Sequence, residues 1–341
     1  MQARTMRCHA LDPSVDVLRA DEVEVPDPAA GEVRVRLKAC ALNFPDVLMI
    51  QGGYQFKPPL PFAPGMEAAG DVESVGAGVT GLKAGDAVVV NMRHGGLAEA
   101  VTVPADAVRP MPPGLDYDRA AGFSAAYLTA WVALVRRGAL QAGETLLVHG
   151  AAGGVGLAAV DLGRHLGARV IATAGTDEKL AVVKALGADE VLNYTLADGG
   201  LGGFREAVKA LTDGRGADVI YDPVGGDVFD ESLRCIAWNG RLLVIGFTSG
   251  RIGQVPSNIP LIKGFSVVGV RAGEYGRRDP QAGRENRDAI FELAASGAIH
   301  PHVCAHFPLE RAAEALRMLV ERRAVGKVVV TLGGWRPERV S

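Results

Sequence analysis

The sequence predicts an α/β protein in which a doubly wound parallel sheet is combined with a second, β-rich domain. A regular alternation of strands and helices runs through the middle of the chain, whereas the first 125 residues read as short strands between proline-rich turns. The length of 341 residues, at roughly 150 residues per domain, gives about two domains. We expect the β-rich domain to span 1–125 and 272–341, and the parallel sheet to span 126–271.

The composition excludes several classes of protein. Hydrophobic residues make up 48% of the chain and charged residues 22%, which is typical of a globular protein with a packed core. A net charge of −3 gives no overall attraction to nucleic acid or to an anionic membrane. The start of the chain lacks the apolar core of a signal peptide, and no apolar run is long enough to span a membrane. We therefore expect a small-molecule substrate, with no nucleic-acid or membrane partner.

Cysteine usage indicates the compartment. Four cysteines, Cys8, Cys40, Cys235 and Cys304, lie far apart, and none forms a CxxC pair. This spacing argues against a disulfide framework and against a structural zinc site. The sequence therefore predicts a protein of the reducing cytoplasm.

The β-rich part begins with three segments of strand character. Residues 31–38 alternate apolar and polar side chains, as a half-buried strand does, and 71–79 and 87–90 are similar. After the last strand of the parallel sheet, an arginine-rich stretch over 271–287 is expected to form a solvated loop. A helix over 288–296, a strand, a helix over 309–322 and a strand over 327–331 follow. This tail is too short for a third domain, so we expect it to return and complete the first one.

The middle of the chain alternates strands with helices. The expected strands cover 145–149, 169–173, 190–194, 218–222, 241–246 and 265–270. The expected helices between them include 178–186, 204–211 and 228–236. Helices stop at Gly167 and Gly187, which suits a helix cap in the left-handed region. This pattern is typical of a doubly wound parallel sheet.

A glycine-rich turn follows the first of these strands. Gly150, Gly153, Gly154 and Gly156 lie between an apolar strand and an Ala/Leu-rich helix. In dinucleotide-binding proteins such glycines permit a tight turn, a close approach to the pyrophosphate and close helix–strand packing, while the helix N-terminus presents free N–H groups. Ala151 replaces the first glycine of the strict GxGxxG pattern, but the strand and helix on either side match it. We predict that Gly153, Gly154 and Val155 bind a pyrophosphate; the alternative is a tight turn without a ligand.

The type of nucleotide is predicted from the end of the second strand. An NAD site places an Asp or Glu there, whereas this strand ends in small neutral residues that include Gly175. Lys179 follows within one helical turn and Tyr194 ends the next strand, which favours a 2′-phosphate and hence NADPH over NADH. Asp177 weakens the positive field, and the alternative for Lys179 is a solvated helix residue.

Several motifs together resemble those of a known family. They are NFPD at 43–46, GGY at 52–54, LPFAPGMEAAG at 60–70, LTAW at 128–131, HGAAGGVG at 149–156 and DPVG at 222–225. The sequence resembles the medium-chain dehydrogenase/reductase superfamily over nearly its whole length, in particular the zinc-free, zeta-crystallin-like NADPH:quinone oxidoreductases. The resemblance implies a GroES-like catalytic domain split around a Rossmann domain, and a homodimer joined through the Rossmann sheet edge. It also implies that Thr129, Ile245 and Phe247 line the nicotinamide end of the cofactor site.

The resemblance also implies chemistry without zinc. The alcohol dehydrogenases of this superfamily have zinc-ligating Cys and His residues where this chain has Asn43 and Met66, and 123–127 supplies no third ligand. An amide and a thioether do not replace a thiolate and an imidazole as zinc ligands. Without a Lewis acid the acceptor must be easy to reduce, as quinones and α,β-unsaturated carbonyls are.

Three residues are candidates for contact with the acceptor. Tyr54 is a phenol that stays protonated at neutral pH and can donate to the acceptor oxygen; the alternative is aromatic packing. Asn43 is a candidate for holding a ribose or substrate hydroxyl, with a structural turn as the alternative. Arg271 follows the sixth strand, near where related quinone reductases place an arginine; the alternative is a solvated side chain.

Other activities remain open. Some quinone reductases carry a second tyrosine where this chain has Leu48, which weakens the quinone assignment. Enoyl thioester (enoyl-CoA/ACP) reductases of the superfamily share the Asn43, Asp46 and Tyr54 arrangement, and use the tyrosine as proton donor. A third possibility is a non-catalytic, crystallin-like protein that binds NADPH.

Two histidine-containing features are given structural roles. His300, His302, Cys304 and His306 alternate along one stretch, so on a strand they share a face. Apolar residues between them indicate a half-buried edge strand rather than a metal site. His149 lies in the first strand of the parallel sheet and is expected to be packed rather than catalytic.

Overall fold

The computed structural model describes residues 1–337, and the chain divides into two compact units. Unit 1 comprises Met1–Ser124 and Pro301–Ser341, and unit 2 comprises Ala125–His300. The first boundary lies within one residue of the expected one. The second lies later than expected, because the segment 272–300 belongs to unit 2.

Seven strands and two helices precede the parallel sheet. They are β1 (Gln2–Cys8), β2 (Leu18–Glu24), β3 (Glu32–Leu42), α1 (Phe44–Ile50), β4 (Glu67–Val75), β5 (Ala87–Asn91), β6 (Ala100–Pro104), β7 (Val108–Pro110) and α2 (Tyr117–Trp131). A π-helical segment, Val132–Arg137, continues α2.

Unit 2 then alternates strands and helices before the chain returns to unit 1. Its elements are β8 (Thr145–Val148), α3 (Gly154–His165), β9 (Arg169–Ala174), α4 (Asp177–Ala185), β10 (Glu190–Asn193), α5 (Arg205–Leu211), β11 (Ala217–Asp222), α6 (Gly226–Cys235), β12 (Ile236–Val244), α7 (Asn258–Lys263), β13 (Ser266–Gly269), α8 (Ala272–Arg278) and α9 (Pro280–Ala295). The returning segment forms β14 (Val303–Pro308), α10 (Ala312–Val320) and β15 (Lys327–Thr331).

The sheet of unit 2 confirms the predicted fold class. Six strands pair in parallel in the order β10-β9-β8-β11-β12-β13. The order reverses between β8 and β11, so the loops at the carboxyl ends of these strands diverge and leave a crevice, as in other Rossmann sheets. Every predicted strand of this sheet is present.

The sheet of unit 1 is assembled from both ends of the chain. Its order is β14-β15-β3-β4-β5-β7, with β6 paired to β3. The last strand, β15, pairs antiparallel with β3, which confirms that the tail completes the first domain. Along β3 the residues Val33, Val35 and Leu37 point into the core at alternate positions, and from Ala39 onward the strand is buried on both faces.

The arginine-rich stretch after β13 is helical, and the expected solvated loop over 271–287 is wrong. Asp279 caps α9 by accepting the N–H of Ala282 at 3.0 Å, and Pro280 occupies the first helical position. Ala282, Ile290 and Ala294 are buried along one face of α9. The side chain of Arg136 donates to Asn286 Oδ1 at 2.7 Å, and the segment 272–300 belongs to unit 2.

The alternating His/Cys stretch is only partly a strand. β14 is the outermost strand of its sheet, as expected, but it begins at Val303, so His300 and His302 lie before it. The Nε2 atom of His306 lies 2.6 Å from Asp118, and the Nδ1 atom of His300 lies 3.1 Å from Asp161, so the two rings have separate partners. Within residues 1–337 no three His, Cys, Asp or Glu side chains are grouped so that they could hold a metal ion.

None of the helices formed by residues 1–337 combines the length and the apolar character that crossing a membrane requires.

Candidate functional site

The turn between β8 and α3 is shaped by its glycines. Gly150 has a φ of +55°, in the left-handed region, and its carbonyl accepts the N–H of Gly153 at 2.9 Å. Gly153 precedes α3 as its N-cap and has no side chain to bond the first-turn N–H groups. No N-cap side chain therefore occupies the positive end of the helix dipole, which is an arrangement that suits a phosphate group.

Two glycines of this turn have different steric roles. A Cβ atom on Gly156 would lie 2.7 Å from Ala151 Cα and still closer to the Gly150 carbonyl oxygen, so this position brings α3 against the turn. A Cβ atom on Gly153 would meet only the Gly150 carbonyl oxygen, at 3.4 Å. One glycine thus permits close packing and the other leaves the surface of the turn open. Both properties fit the pyrophosphate of a dinucleotide.

The residues predicted to bind the cofactor mostly follow the carboxyl ends of the parallel strands. Gly153, Gly154 and Val155 come after β8, Gly175 after β9, Tyr194 after β10, and Ile245 and Phe247 after β12. Because the strands are parallel, these ends lie along one edge of the sheet. The fold therefore brings this part of the prediction together.

The residues after β9 were predicted to decide whether the site accepts the 2′-phosphate of NADPH or the 2′-hydroxyl of NADH. Thr176 caps α4, and its Oγ1 atom accepts the N–H of Lys179 at 3.4 Å. The carboxylate of Asp177 accepts a hydrogen bond from the amide of Asn193 at 2.9 Å, so Asn193 restrains its position. Tyr194 is buried, with its ring near Gly175. Roles for Lys179 and Tyr194 in cofactor binding remain predictions.

Two further candidates lie elsewhere in unit 2. The hydroxyl of Thr129, within α2, donates to the carbonyl of Ala125 at 2.8 Å. Arg271 precedes α8, its side chain is 59% exposed, and it lies 3.9 Å from Glu274. This exposure matches the solvated alternative for Arg271, and a contact between it and the cofactor remains a prediction.

Sequence reasoning did not single out Asp222 as a site residue. One carboxylate oxygen of Asp222 accepts the N–H groups of Val224 and Gly225 at 2.8 and 2.9 Å, whereas Oδ2 has no partner within residues 1–337. Burial raises the pKa of this carboxyl to about 6, against the effect of the two N–H groups. Asp222 ends β11, at the same edge of the sheet as the glycine turn. The DPVG motif that begins with it is the sequence signal.

His149 is packed, as expected. Its ring is fully buried, with Nδ1 2.9 Å from Thr173 Oγ1 and Nε2 2.8 Å from Ser232 Oγ. Burial lowers the pKa of this imidazole to about 3. The ring therefore stays neutral and serves as a hydrogen-bonded part of the core.

Unit 1 contains a buried polar cluster where the metal-dependent relatives were expected to hold zinc. The ammonium of Lys327 lies 2.7 Å from Asn43 Oδ1 and 2.8 Å from Glu67 Oε1. Asn43 Nδ2 donates to the same oxygen of Glu67 at 3.0 Å, and the hydroxyl of Ser124 donates to Glu67 Oε2 at 2.9 Å. Lys327 is only 5% exposed and Glu67 is fully buried. The cation of this cluster is therefore an amino group of the protein itself.

Lys327 was missed because no local pattern marks it. It lies 284 positions after Asn43 and 260 after Glu67, on the strand that returns to unit 1. The amide of Asn43 contacts the cluster through both its oxygen and its nitrogen. Contact of Asn43 with a substrate remains a prediction.

Asp46 holds the backbone around this cluster. Its carboxylate accepts the N–H groups of Asn43 and Gly65, each at 2.8 Å, and burial raises its pKa to about 6. Gly65 has a φ of +103°, and a Cβ atom there would lie 2.8 Å from Gly96 Cα. Asp46 thereby ties the start of α1 to the turn at Gly65.

Tyr54 lies in the loop after α1. Its backbone N–H donates to the carbonyl of Leu48 at 3.2 Å, and its half-buried ring packs against the apolar core of unit 1. The aromatic packing that was the alternative for Tyr54 is thus present, and it leaves the ring partly exposed. A role as hydrogen-bond donor to an acceptor remains a prediction.

Comparison with known proteins agrees with this architecture. Residues 29–113 match the family model of the alcohol dehydrogenase GroES-like domain, and residues 154–286 match that of the zinc-binding dehydrogenases. The chain is 41% identical to quinone oxidoreductase-like protein 2 homolog of Nematostella vectensis, over 96% of this chain and 88% of that protein.

Solved structures show the same fold. The quinone oxidoreductase of Escherichia coli, solved in complex with NADPH, has a TM-score of 0.86 and 32% identity, covering 96% of this chain and 99% of that one. The CurK enoyl reductase also has a TM-score of 0.86, with 27% identity, covering 97% of this chain and all of that one.

Fold, glycine turn and relatives together define an oxidoreductase with a GroES-like and a Rossmann domain. The chain belongs to the medium-chain dehydrogenase/reductase family, in its quinone oxidoreductase-like branch. The family resemblance read from the sequence motifs is confirmed.

Proposed function

We propose that this protein is a metal-free oxidoreductase that transfers a hydride from NADPH to a quinone or an α,β-unsaturated carbonyl. The observation that carries the proposal is the glycine turn, whose Gly153 leaves the N-terminus of α3 open to a pyrophosphate. The NADPH complex of the E. coli relative supports the choice of cofactor. NADPH, when bound, supplies the hydride; the protein binds and orients both reactants.

The cofactor is held by unit 2 in this proposal. The N–H groups at Gly153, Gly154 and Val155 bind the pyrophosphate, and Lys179 and Tyr194 bind the 2′-phosphate. Gly175 leaves space for the ribose, and Thr129, Ile245 and Phe247 line the nicotinamide. Small neutral residues after β9 support NADPH over NADH, because no carboxylate stands at the end of the strand to accept from a ribose hydroxyl.

The cofactor assignment is tested by titration of the protein with NADPH and NADH. We expect tighter binding of NADPH, and we expect Lys179→Gln to weaken NADPH binding while NADH binding stays the same. Equal affinity of the wild type for both nucleotides would show that Lys179 and Tyr194 are misassigned.

The acceptor is oriented by unit 1 in this proposal. The phenol of Tyr54 donates a hydrogen bond to the acceptor oxygen, on which negative charge grows as the hydride arrives. Asn43 is a further proposed contact with the acceptor, whereas Arg271, in unit 2, is proposed to contact the cofactor. A metal-free reaction is supported by the donor set, because Asn43 Oδ1 and Glu67 Oε1 already bind the ammonium of Lys327. We expect exhaustive dialysis against a chelator to leave the reductase rate unchanged.

The activity itself is tested with a panel of acceptors. NADPH oxidation is followed by absorbance with quinones, enones and enoyl thioesters, at equal acceptor concentrations. Turnover of quinones or enones supports the proposal. NADPH binding without turnover of any acceptor would instead support a non-catalytic, crystallin-like protein.

Enoyl thioester reduction is the second candidate, and the structural likeness to CurK enoyl reductase favours keeping it. The two activities differ in their need for a proton. An enolate formed from a thioester is a strong base that must be protonated, whereas the hydroquinone anion formed from a quinone is a weak one. Tyr54→Phe should therefore reduce thioester turnover far more than quinone turnover; equal losses would contradict a role for Tyr54 as the proton donor in thioester reduction.

Assembly and compartment complete the proposal. β13 is the edge strand of the unit 2 sheet, and Val267 on it is 40% exposed, which supports a homodimer joined edge to edge. Light scattering after size-exclusion chromatography measures the oligomeric mass directly. The cytoplasm remains the proposed compartment on the basis of the four scattered cysteines.

A further inference from the structure

The loop that carries Tyr54 is fixed against a second segment of unit 1, residues 92–97. The ring of Phe56 stacks on that of His94, with centroids 5.9 Å apart and an interplanar angle of 23°. The second segment is itself held by backbone hydrogen bonds from Met92 to Met66 and from Gly95 to Ala63, at 2.9 and 2.8 Å. Both segments therefore form one surface.

Arg93 lies on this surface with its guanidinium over the ring of Phe56. The central guanidinium carbon is 3.5 Å from the ring centroid. Phe56 is two residues from Tyr54, so their Cα atoms are at most about 7 Å apart. The cation is thereby stacked on the same loop that carries the phenol proposed to bind the acceptor oxygen.

The stacking leaves the hydrogen-bonding edges of Arg93 open. A guanidinium that lies flat on an aromatic ring uses its face, whereas its N–H groups project from the rim in a planar fork. No ion pair between Arg93 and a carboxylate is formed within residues 1–337. The fork is thus held in place by Phe56 and keeps its donors for another group.

The charged residues of the Tyr54 loop and of the segment that holds Arg93 are all basic. Residues 47–66 and 92–98 contain two basic residues, Lys57 and Arg93, and no acidic residue. Of the acids that flank these segments, Asp46 and Glu67 are fully buried and hydrogen-bonded to Gly65 and Lys327, and Glu99 accepts the backbone N–H of Arg4 at 3.2 Å. Burial, and then the charge of Arg93, lower the pKa of His94, so this ring is neutral at pH 7. The exposed charges of these two segments are therefore basic.

We propose that the acceptor carries an anionic group, a carboxylate, sulfonate or phosphate, which Arg93 binds while Tyr54 binds the reducible carbonyl. A planar anion of this kind matches the guanidinium fork through two parallel hydrogen bonds. The inference rests on the proposed function, because it takes Tyr54 as the mark of the acceptor site. Arg93 then selects substrates by charge and takes no part in hydride transfer.

A matched pair of quinones tests this selectivity. The probes are 1,2-naphthoquinone and 1,2-naphthoquinone-4-sulfonate, which share a ring system and differ in one anionic group. NADPH oxidation gives kcat/KM for each quinone with the wild type and with Arg93→Met. We expect the variant to lower the ratio of kcat/KM for the sulfonate over the neutral quinone by about fivefold, as expected for loss of one partly exposed ion pair. Because each quinone is compared with itself, differences in intrinsic reactivity cancel.

Two further variants distinguish direct binding of the anionic group by Arg93 from a general effect of positive charge on this surface. Lys57→Met removes the same charge from the same surface and should leave the ratio almost unchanged. Arg93→Lys keeps the charge without the planar fork, and should restore part of the ratio. An unchanged ratio in Arg93→Met, or an equal fall in Lys57→Met, would overturn the inference.

Binding measurements distinguish this inference from the proposed function. Isothermal titration of the NADP⁺-loaded protein with both quinones needs no turnover. If neither quinone is reduced but Arg93→Met weakens binding of the sulfonate alone by about fivefold, the anion site stands and the proposed reaction fails. If both quinones are reduced and binding of the sulfonate does not depend on Arg93, the reaction stands and the anion site fails.

Discussion

The two units of this protein arrange their polar groups in opposite ways. In unit 1 the cluster of Asn43, Glu67 and Lys327 is built from side chains that are buried and bonded to one another. In unit 2 the turn at Gly150–Gly156 is built from backbone, and Gly153 contributes no side chain to the helix N-terminus behind it. In unit 1 the polar groups are bonded to one another, whereas in unit 2 the turn leaves N–H groups available for a ligand.

This difference determines how each region responds to a substitution. A buried ion pair is sensitive to the loss of either partner, because the remaining charge stays in a poorly solvated place. A backbone turn is sensitive to any added side chain, because a methyl group occupies space that the chain or a ligand needs. Substitutions in the buried cluster of unit 1 should therefore lower the free energy of unfolding most. Substitutions in the glycine turn of unit 2 should mainly weaken ligand binding.

The largest effect is expected for Lys327→Met. It leaves the carboxylate of Glu67 buried beside an apolar side chain, and we expect the free energy of unfolding to fall by about 3–5 kcal/mol. Urea denaturation, followed by circular dichroism, measures the loss.

The double variant Lys327→Met with Glu67→Gln is the matched control. It removes both charges, so it should recover most of the stability lost by Lys327→Met. A double variant no more stable than Lys327→Met would show that the ion pair is not the source of the loss.

The second effect compares two alanine substitutions in the glycine turn. Gly156→Ala places a methyl group against Ala151 and the Gly150 carbonyl, so we expect a loss of about 2–3 kcal/mol in unfolding free energy. Gly153 has φ −75° and ψ 165°, which alanine adopts without strain, and its Cβ atom would have room. Gly153→Ala should therefore change stability by less than about 1 kcal/mol, yet weaken NADPH binding.

Urea denaturation and NADPH titration of both variants check this contrast. If Gly153→Ala binds NADPH as tightly as the wild type, the pyrophosphate does not approach this turn. If Gly156→Ala is as stable as the wild type, the packing of α3 against the turn is looser than the structure shows.

The smallest effect concerns pH and His149. The folded pKa of about 3 lies below the unfolded value of about 6.5, so the unfolded chain binds more protons between these values. Stability is therefore lost as the pH falls, by about 2 kcal/mol from this residue between pH 7 and pH 5. His149→Gln should lose this part of the pH dependence. Urea denaturation at both pH values measures it, and an equal slope in both proteins would contradict the assignment.

The parts of the fold that were predictable depend on short-range patterns. The strands of unit 2 were found because apolar runs end in glycine-containing turns, and the turn after β8 was found because its glycines are adjacent. α8 and the first part of α9 were missed because their arginines suggested solvent, whereas the last part of α9 overlaps the expected helix over 288–296. The cap at Asp279 and Pro280 and the buried Ala282, Ile290 and Ala294 are local signals that would have identified α9.

The parts that were not predictable depend on long-range pairing. Lys327 reads as an ordinary residue at the start of a strand, and only the pairing of β15 with β3 brings it to Asn43 and Glu67. The stacking of Arg93 on Phe56 has the same origin, because the two residues come from separate loops. The motifs identified Asn43, Tyr54 and Glu67, but not their neighbours.

The assembly of unit 1 from two chain segments has a consequence for synthesis on the ribosome. Unit 2 is continuous, Ala125–His300, and can be completed as soon as it emerges, whereas β3 must wait for β15. Until then Glu67 lacks its cation, so the first segment of the nascent chain stays open to proteases and chaperones. We expect ribosome-bound chains to show protease resistance first in the Rossmann unit. Early resistance of the N-terminal segment would contradict this order.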